Sequence, residues 1–592
     1  MKASLLVLLS LVATARAEVL LADGGKTRQT IVVDPAATAT EVFAARELAA
    51  HLRQITGAEF NVLTNAQAPA RAILVGMGVA ARKVFAEGGA LGPEEIVLKT
   101  KGNRLLLAGG RPRGTLYAVS RFLQDHCGVR WWTPWASRIP KQPTLRVNSL
   151  NLRATPAFEY REPYWYPAFD ADWSWRNGCN GQSSKLTAEK GGRVSYKGFV
   201  HTFYALVPPN KQFTEHPDWF SLVGGKRTTD RAQLCLTNPK LRDFMVERVR
   251  QWLRETPDVG IISVSQNDWH GACECAECKA LDDAEGTHAA TMLAFVNYVA
   301  EKIEPEFPEV AVDTLAYQYT RHPPKTIRPR ANVIVRLCSI ECNFREPLDH
   351  ASNAAFAADI RGWSKLCQRL YIWDYTTDFA HYAQPHPNWF TLGPNLRFFQ
   401  QHGVRGVFEQ GAYQGHGAEM AELRAWVLAQ LLWNPRRDDR ALIREFLDGY
   451  YGAAAPAIAR YLDLMHHASQ GHNLTCFAPT DGPHLRFKPL AEAEQLWQEA
   501  ERAVTGQEEL LARVRLAHLP VRYAWLTRWT ELRKESDALA AKWPLPDSRQ
   551  QVADEWMQVA KGEPNKPWTT LTRLNEGGLT PERWIGRVAP AH

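Results

Sequence analysis

The stretch Ser265-Gln266-Asn267-Asp268-Trp269 ends the apolar run Ile261-Ile262-Ser263-Val264 with side chains able to grip a hydroxyl group or move a proton. Other apolar runs end in the same way. Arg161 lies within the run from Phe158 to Tyr166, His201 follows Phe199-Val200, and Tyr317 and Tyr319 follow Leu315-Ala316. Glu341 follows Ile340, Trp373 and Asp374 follow Ile372, and Glu409 follows Val407-Phe408. Carboxylates drawn from several strands suit acid–base work at an acetal. Cleaving a glycosidic bond takes one group to protonate the departing oxygen, and a second to act as nucleophile, base or stabiliser of the forming positive charge. Asp268 is the expected proton donor, with Asn267 and Glu341 beside it in catalysis. His201, Gln266, Tyr317, Tyr319, Trp373, Asp374, Glu409 and Arg161 are expected to bind substrate.

Each of these residues also has a structural reading. Asn267-Asp268 fits a β-turn whose side chains bond backbone N–H groups, and Glu341 fits an ion pair with an arginine such as Arg336 or Arg345. Gly411, after Glu409-Gln410, lets the backbone come close to a ligand. A histidine such as His201 is more often a hydrogen-bonded structural residue than a catalyst.

Convergence of strand-end residues requires parallel strands that finish on one face, as in a (β/α)8 barrel of the TIM type, whose active site lies at the C-terminal mouth. Between about Ala157 and Trp433 eight strand candidates recur: 158–166, 198–204, 233–236, 260–265, 310–317, 333–340, 370–373 and 403–408. The runs Ile261–Val264 and Val333–Val335 have the near-continuous apolar character of strands buried on both faces. Met292, Phe295, Val299 and Ile303 share one face of an intervening helix. The fold expected is therefore α/β, with the barrel over 151–435. A small α/β domain over 18–150 precedes it, and an α-helical domain over 436–592 follows, beginning where long amphipathic helices such as 442–451, 457–466, 491–504 and 508–532 take over.

Lys2, the apolar run Leu5 to Ala13 and Ala15-Arg16-Ala17 have the form of a signal peptide over 1–17, which implies export to the periplasm or the extracellular space. No later segment is long and apolar enough to span a membrane. The 592 residues hold 70 Lys and Arg against 63 Asp and Glu. Removal of the leader would leave a net charge of about +5, spread without the basic blocks of a nucleic-acid face. The 21 Trp and 17 Tyr offer flat apolar faces with polar edges, which suit sugar rings. A glycan is the expected partner.

Cys273, Cys275 and Cys278 follow the Asp268 loop closely. A C-x-C-x-x-C run with an added ligand can hold zinc. Exported chains favour disulfides, and the ten cysteines are even in number, so a local pair or a bridge to Cys235, Cys338 or Cys342 also fits. Disulfides or free thiols are expected here, with no metal or other cofactor in the chemistry, because no histidine pair stands at ligand spacing.

The segment Val264 to Arg345, with Ser-Gln-Asn-Asp, Cys-x-Cys-x-x-Cys, Phe295-Val296-Asn297, Leu315-Ala316-Tyr317-Gln318-Tyr319 and Cys338-Ser339-Ile340-Glu341-Cys342, resembles domain-of-unknown-function family 4838. His216–Phe220 and Leu234–Pro239 fit it too. Part of that family is classed as glycoside hydrolase family 163, endo-β-N-acetylglucosaminidases acting on complex N-glycans. Gly114-Thr115-Leu116-Tyr117-Ala118-Val119 is similar to the small α/β domain preceding the barrel in β-hexosaminidases and α-glucuronidases. In hexosaminidases the fourth strand ends in an Asp-Glu pair, which Asn267-Asp268 matches by position with different residues. The resemblance implies a retaining glycosidase acting on N-acetylglucosamine-containing glycans. The alternatives are an exo-glycosidase for another sugar, such as a uronic acid, and a glycan-binding barrel without catalysis.

Overall fold

A computed structural model describes residues 18–86 and 89–589. The expected signal segment, 1–17, lies outside the described residues. The chain forms two compact units: one runs to Arg130 and adds Arg138–Thr155 and Thr187–Gly192, the other comprises Trp131–Ser137, Pro156–Leu186 and the chain from Arg193 onward.

In the first unit, Thr30–Val33 (β1), Ala39–Thr56 (α1), Val62–Thr64 (β2), Ala72–Val75 (β3), Ile96–Lys101 (β4), Arg104–Gly109 (β5), Gly114–Cys127 (α2) and Asn151–Ala154 (β6) follow one another. Their sheet runs β6-β4-β5-β3-β1-β2. β1, β2, β3 and β5 are parallel, and β4 is antiparallel to its neighbours β5 and β6. α1 starts at a capping box, in which Thr38 accepts from the Glu41 N–H and the Glu41 carboxylate accepts from the Thr38 N–H.

The second unit is built on seven parallel strands: Tyr160–Tyr164 (β7), Tyr196–Lys197 (β8), Ile261–Ser263 (β9), Ala311–Ala316 (β10), Val333–Cys338 (β11), Leu370–Tyr375 (β12) and Gly406–Gln410 (β13). They are ordered β7-β13-β12-β11-β10-β9-β8. β9, β10, β11 and β13 are buried along their whole length and β12 at every residue but Trp373, as their apolar runs require. The sheet curls until its edges approach: the rings of Tyr160 on β7 and Tyr196 on β8 are 5.7 Å apart. Gly406 permits the tight packing there, since a Cβ at that position would stand 2.7 Å from the Tyr371 ring and 2.8 Å from Tyr160.

The closed barrel of eight strands expected from the sequence is not what the described residues form. The segment 233–236 contains no strand; its one ladder contact is an isolated bridge from Leu234 to Phe220. The strand expected at 198–204 is displaced to the two residues of β8. Between β7 and β8 the gap is spanned by Asn180, whose N–H donates to Arg161 O at 3.3 Å and whose carbonyl accepts from Val194 N at 2.9 Å. One irregular residue thus satisfies backbone groups that a further strand would otherwise pair.

The helices Pro239–Glu255 (α3), Ala289–Ile303 (α4), Ala354–Leu366 (α5), Leu392–Gln401 (α6) and Ala421–Trp433 (α7) follow β8, β9, β11, β12 and β13 respectively. α4 buries Met292, Phe295, Val299 and Ile303, as their spacing predicts, and packs on β10 and β11. Asp439–Tyr451 (α8), Ala455–Ala468 (α9), Phe487–Ala503 (α10), Glu508–Thr527 (α11), Trp529–Ala538 (α12) and Arg549–Lys561 (α13) belong to the same compact unit as the sheet. The single helix expected over 508–532 is broken at Arg528. After α13 the chain returns to the loops beyond the strands: Leu574 O accepts from Tyr382 N, and Glu576 N donates to Phe379 O. Among the described residues no helix is long and apolar enough to cross a membrane.

Candidate active site

Side chains alternate across a strand, so only every second residue of each run faces the inside of the curled sheet. On β12 these are Tyr371, Trp373 and Tyr375, and on β13 Phe408 and Gln410. Beyond the C-terminal ends of the strands they open into a cleft of about 310 Å³, at the small end of the range for ligand pockets. Its walls are strongly aromatic: Tyr164, Phe199, Trp373, Tyr375, Phe408 and Tyr413. Arg336 lies beneath them, its guanidinium 4.1 Å from the Phe199 ring centre and 5.3 Å from that of Trp373. It is fully buried, paired with Asp313, and donates to Phe199 O. A charge this deep is tolerable only because Asp313 and the ring faces meet it.

Asp268 stands at the rim, with its side chain 58% exposed. Tyr317 donates its hydroxyl proton to Asp268 Oδ1 at 3.1 Å, and His201 Nε2 is 3.6 Å from the same oxygen. His201 Nδ1 is 2.8 Å from the Gln266 carbonyl, which can only accept, so Nδ1 carries the proton and Nε2 offers a lone pair toward the cleft. Burial holds this imidazole below its ordinary pKa, against the opposing pull of the Gln266 carbonyl and the Asp268 charge. Its backbone is left-handed, at φ 54°. A non-glycine residue held there is strained, and the strain aims its ring at Asp268.

Glu576 lines the same cleft. Tyr413 and Gln410 each donate to its Oε1 at 3.3 Å, and Gln414 donates to its backbone carbonyl at 3.1 Å. Burial raises its pKa above the usual carboxyl value; the Tyr413 bond opposes this, and the nearby Asp268 charge raises it further. Two carboxyl groups of unlike surroundings therefore share one cleft. Such pairs divide naturally into a proton donor and a charged partner.

Of the residues singled out from the sequence, Asp268, His201, Tyr317 and Trp373 meet in this cleft. The others are placed elsewhere. Asn267 is buried, with its amide donating to Ala232 O and its side-chain oxygen accepting from Tyr204 N, so it is occupied in holding the loop. Gln266 is likewise buried, bonded to Tyr317 O and to Thr320. Tyr319 lines a neighbouring hollow with His270, Cys273 and His288. Arg161 points out of the sheet, where it donates to Gly178 O and Phe158 O and lies over Trp433.

Glu341 pairs with Arg321 at 2.9 Å, a different arginine from those its sequence position suggested, and is not among the residues lining the cleft. Asp374 and Glu409 are register partners on β12 and β13, but they alternate with the cleft-facing residues and so are buried behind the sheet. Gly411 serves packing: a Cβ there would stand 2.1 Å from the Trp165 ring. Glu576 escaped the sequence argument. It sits in Asn575-Glu576-Gly577-Gly578, a turn more than 160 residues past the last strand, with no periodicity to tie it to the sheet.

Among solved structures, the fold is similar to a family GH115 4-O-methyl-α-glucuronidase with specificity for decorated arabinogalactans, at 12% identity and a TM-score of 0.58, over 93% of this chain and 78% of that one. A GH138 enzyme targeting pectin rhamnogalacturonan II is a more distant match, with 13% identity and a TM-score of 0.46 over 95% of this chain and 98% of that one. No curated protein matches the sequence. A family described as "Domain of unknown function (DUF4838)" matches residues 131–463, which include all seven strands of the curled sheet. With more than half of its length covered by that match, the chain belongs to the DUF4838 family.

Proposed function

We propose that the protein is a retaining glycoside hydrolase acting on neutral glycans that contain N-acetylglucosamine. The observation that carries this reading is the pairing of Asp268 and Glu576 across one aromatic-walled cleft. Glu576, with its raised pKa, is the proton donor to the departing oxygen. Asp268, fixed by Tyr317, is the negative charge that meets the positive charge growing at the anomeric carbon. This reverses the donor role suggested by the place of Asp268 after the strand. His201 Nε2 accepts a hydrogen bond from a sugar hydroxyl, and Trp373 provides a ring face for the sugar.

The resemblance to family 4838, part of which is classed as glycoside hydrolase family 163, supports N-acetylglucosamine as the sugar, and the apolar walls suit the methyl group of its acetamide. A uronic acid calls for a basic clamp on its carboxylate. Among the described residues lining the cleft, none is Arg or Lys. The deciding experiment is incubation with a panel of N-glycans and plant and bacterial polysaccharides, with product masses and the anomeric configuration followed by NMR. Release of an N-acetylglucosamine-terminated product as its retained anomer supports the reading. Binding across the panel without turnover would establish a glycan-binding protein in its place.

A further inference from the structure

Four sulfurs converge just beyond the Asp268 loop. Cys273, Cys275 and Cys278 come from one short run, and Cys235 from the segment before α3. All four are buried, and their Sγ atoms all lie within 4.8 Å of one another. Cys235 Sγ is 3.6 Å from Cys275 Sγ and 4.0 Å from Cys278 Sγ. A tetrahedron of thiolates around zinc, with Zn–S bonds of about 2.3 Å, sets its sulfurs roughly 3.8 Å apart. Two disulfides would instead draw the sulfurs together in pairs at about 2.05 Å.

The surroundings match a charged cluster. The Leu222 N–H donates to Cys273 Sγ at 3.3 Å, and Arg227 Nη1 reaches the same sulfur at 3.5 Å. The Thr237 hydroxyl is 3.1 Å from Cys278 Sγ. A backbone N–H, a guanidinium and a hydroxyl aimed at sulfur are the contacts that disperse the net negative charge of a tetrathiolate site.

We propose that Cys235, Cys273, Cys275 and Cys278 bind one zinc ion, each thiol giving up its proton as its sulfur takes a coordination position. With four protein ligands no position is left for water, so the metal is structural. This revises the expectation of disulfides or free thiols drawn from the sequence, where Cys235 is separated from the C-x-C-x-x-C run by 37 residues.

The site also holds the rim of the cleft. Two residues before Cys235, Gln233 Nε2 donates to Asn267 O at 3.1 Å and to Trp269 O at 2.6 Å, and its Oε1 accepts from Asn267 N at 2.9 Å. Gln233 N donates to Gly271 O, two residues before Cys273. The peptides flanking Asp268 are thus clamped between two ligand-bearing segments. This positioning role rests on the reading of Asp268 as a catalytic residue; metal binding itself does not.

The test uses the full chain purified without chelators. Elemental analysis should find one zinc per chain, and X-ray absorption at the zinc edge should show a shell of four sulfurs and no oxygen. Replacing the metal with cobalt should give intense thiolate-to-cobalt absorption, lost in Cys235→Ser and Cys278→Ser. Absence of metal, together with non-reducing peptide mapping that finds these four cysteines joined in disulfides or all free, would overturn the proposal. The measurements on the unaltered chain decide the matter even if the variants fail to fold. Failure of glycan hydrolysis with zinc present would count against the catalytic reading and leave the metal site standing.

Discussion

The Tyr317 hydroxyl lies 3.1 Å from Asp268 Oδ1, and Gln318 Nε2 donates to that hydroxyl at 3.0 Å. The Tyr317 proton is therefore committed to the carboxylate, and an otherwise exposed side chain is given a fixed direction. Tyr317→Phe removes one hydrogen bond to a charged group, worth about 1.5–3 kcal/mol. If that charge faces the anomeric carbon, kcat should fall roughly 10- to 100-fold, each tenfold step corresponding to about 1.4 kcal/mol. KM and the thermal midpoint should change little. A drop confined to KM would show that Tyr317 only binds ground-state substrate.

The roles of the two carboxyl groups are separable by leaving group. Glu576→Gln should slow hydrolysis of an oligosaccharide by about 10²–10⁴-fold, the usual contribution of a general acid. The same variant should lose far less on an aryl glycoside whose phenolate departs without help. Asp268→Asn should slow both substrates alike, since charge at the anomeric carbon develops with either. The opposite pattern returns the donor role to Asp268.

The pH profile follows from the environment of Glu576. Burial and the Asp268 charge raise its pKa above the ordinary 4.5, so a donor at this position keeps its proton further toward neutrality and activity falls as pH rises through that value. Removing the Asp268 charge takes away one of the raising causes. In Asp268→Asn the alkaline limb of the residual activity should therefore move to lower pH, as read from kcat/KM against pH. An unmoved limb would mean that Glu576 does not set it.

Much of this arrangement was legible in the sequence because strand-end position is local information. Six of the eight expected strands coincide with β7 and β9 to β13; Tyr317 and Asp268 reach the cleft from just beyond their strands, Trp373 from within β12 and His201 from the loop after β8. Facing was less legible. Asp374 and Glu409 are one residue out of phase with Trp373, Tyr375 and Gln410, and with both faces of these strands buried the apolar pattern contains no alternation that would reveal it. Glu576 and Cys235 depend on contacts across long stretches of chain, which periodicity does not encode. Of the two expected strands that did not form as such, 233–236 keeps only an isolated bridge to Phe220, and the gap in the sheet falls instead between β7 and β8, where Asn180 spans it through backbone hydrogen bonds that no residue pattern announces.

Glu341 illustrates a strand-end carboxylate with a different occupation. It is paired with Arg321, which Asp359 also holds at 2.7 Å, and its side chain is 41% exposed. Glu341→Gln should leave kcat within a few-fold of the parent and cost about 0–1 kcal/mol in stability, as for a surface ion pair. Loss of turnover comparable to that of Asp268→Asn would place Glu341 in the chemistry.

Asp374 and Glu409, side by side behind the sheet, should act on stability. Burial raises the Asp374 pKa to about 6, with the Ser339 hydroxyl opposing; burial and the Asp374 charge raise Glu409 well above its ordinary value. A carboxyl group whose pKa is raised by folding contributes stability that is complete below its unfolded pKa and is lost as pH rises through the folded one. Between pH 5 and pH 8 the parent protein should therefore lose stability at this pair as pH rises through the raised values. Glu409→Gln keeps the shape and removes one of the two ionisations, so its stability should fall less steeply over that range and exceed the parent's at pH 8. Denaturant unfolding of both proteins at the two pH values measures the difference in slope. Equal slopes would mean that the pair remains protonated throughout, or that water reaches it.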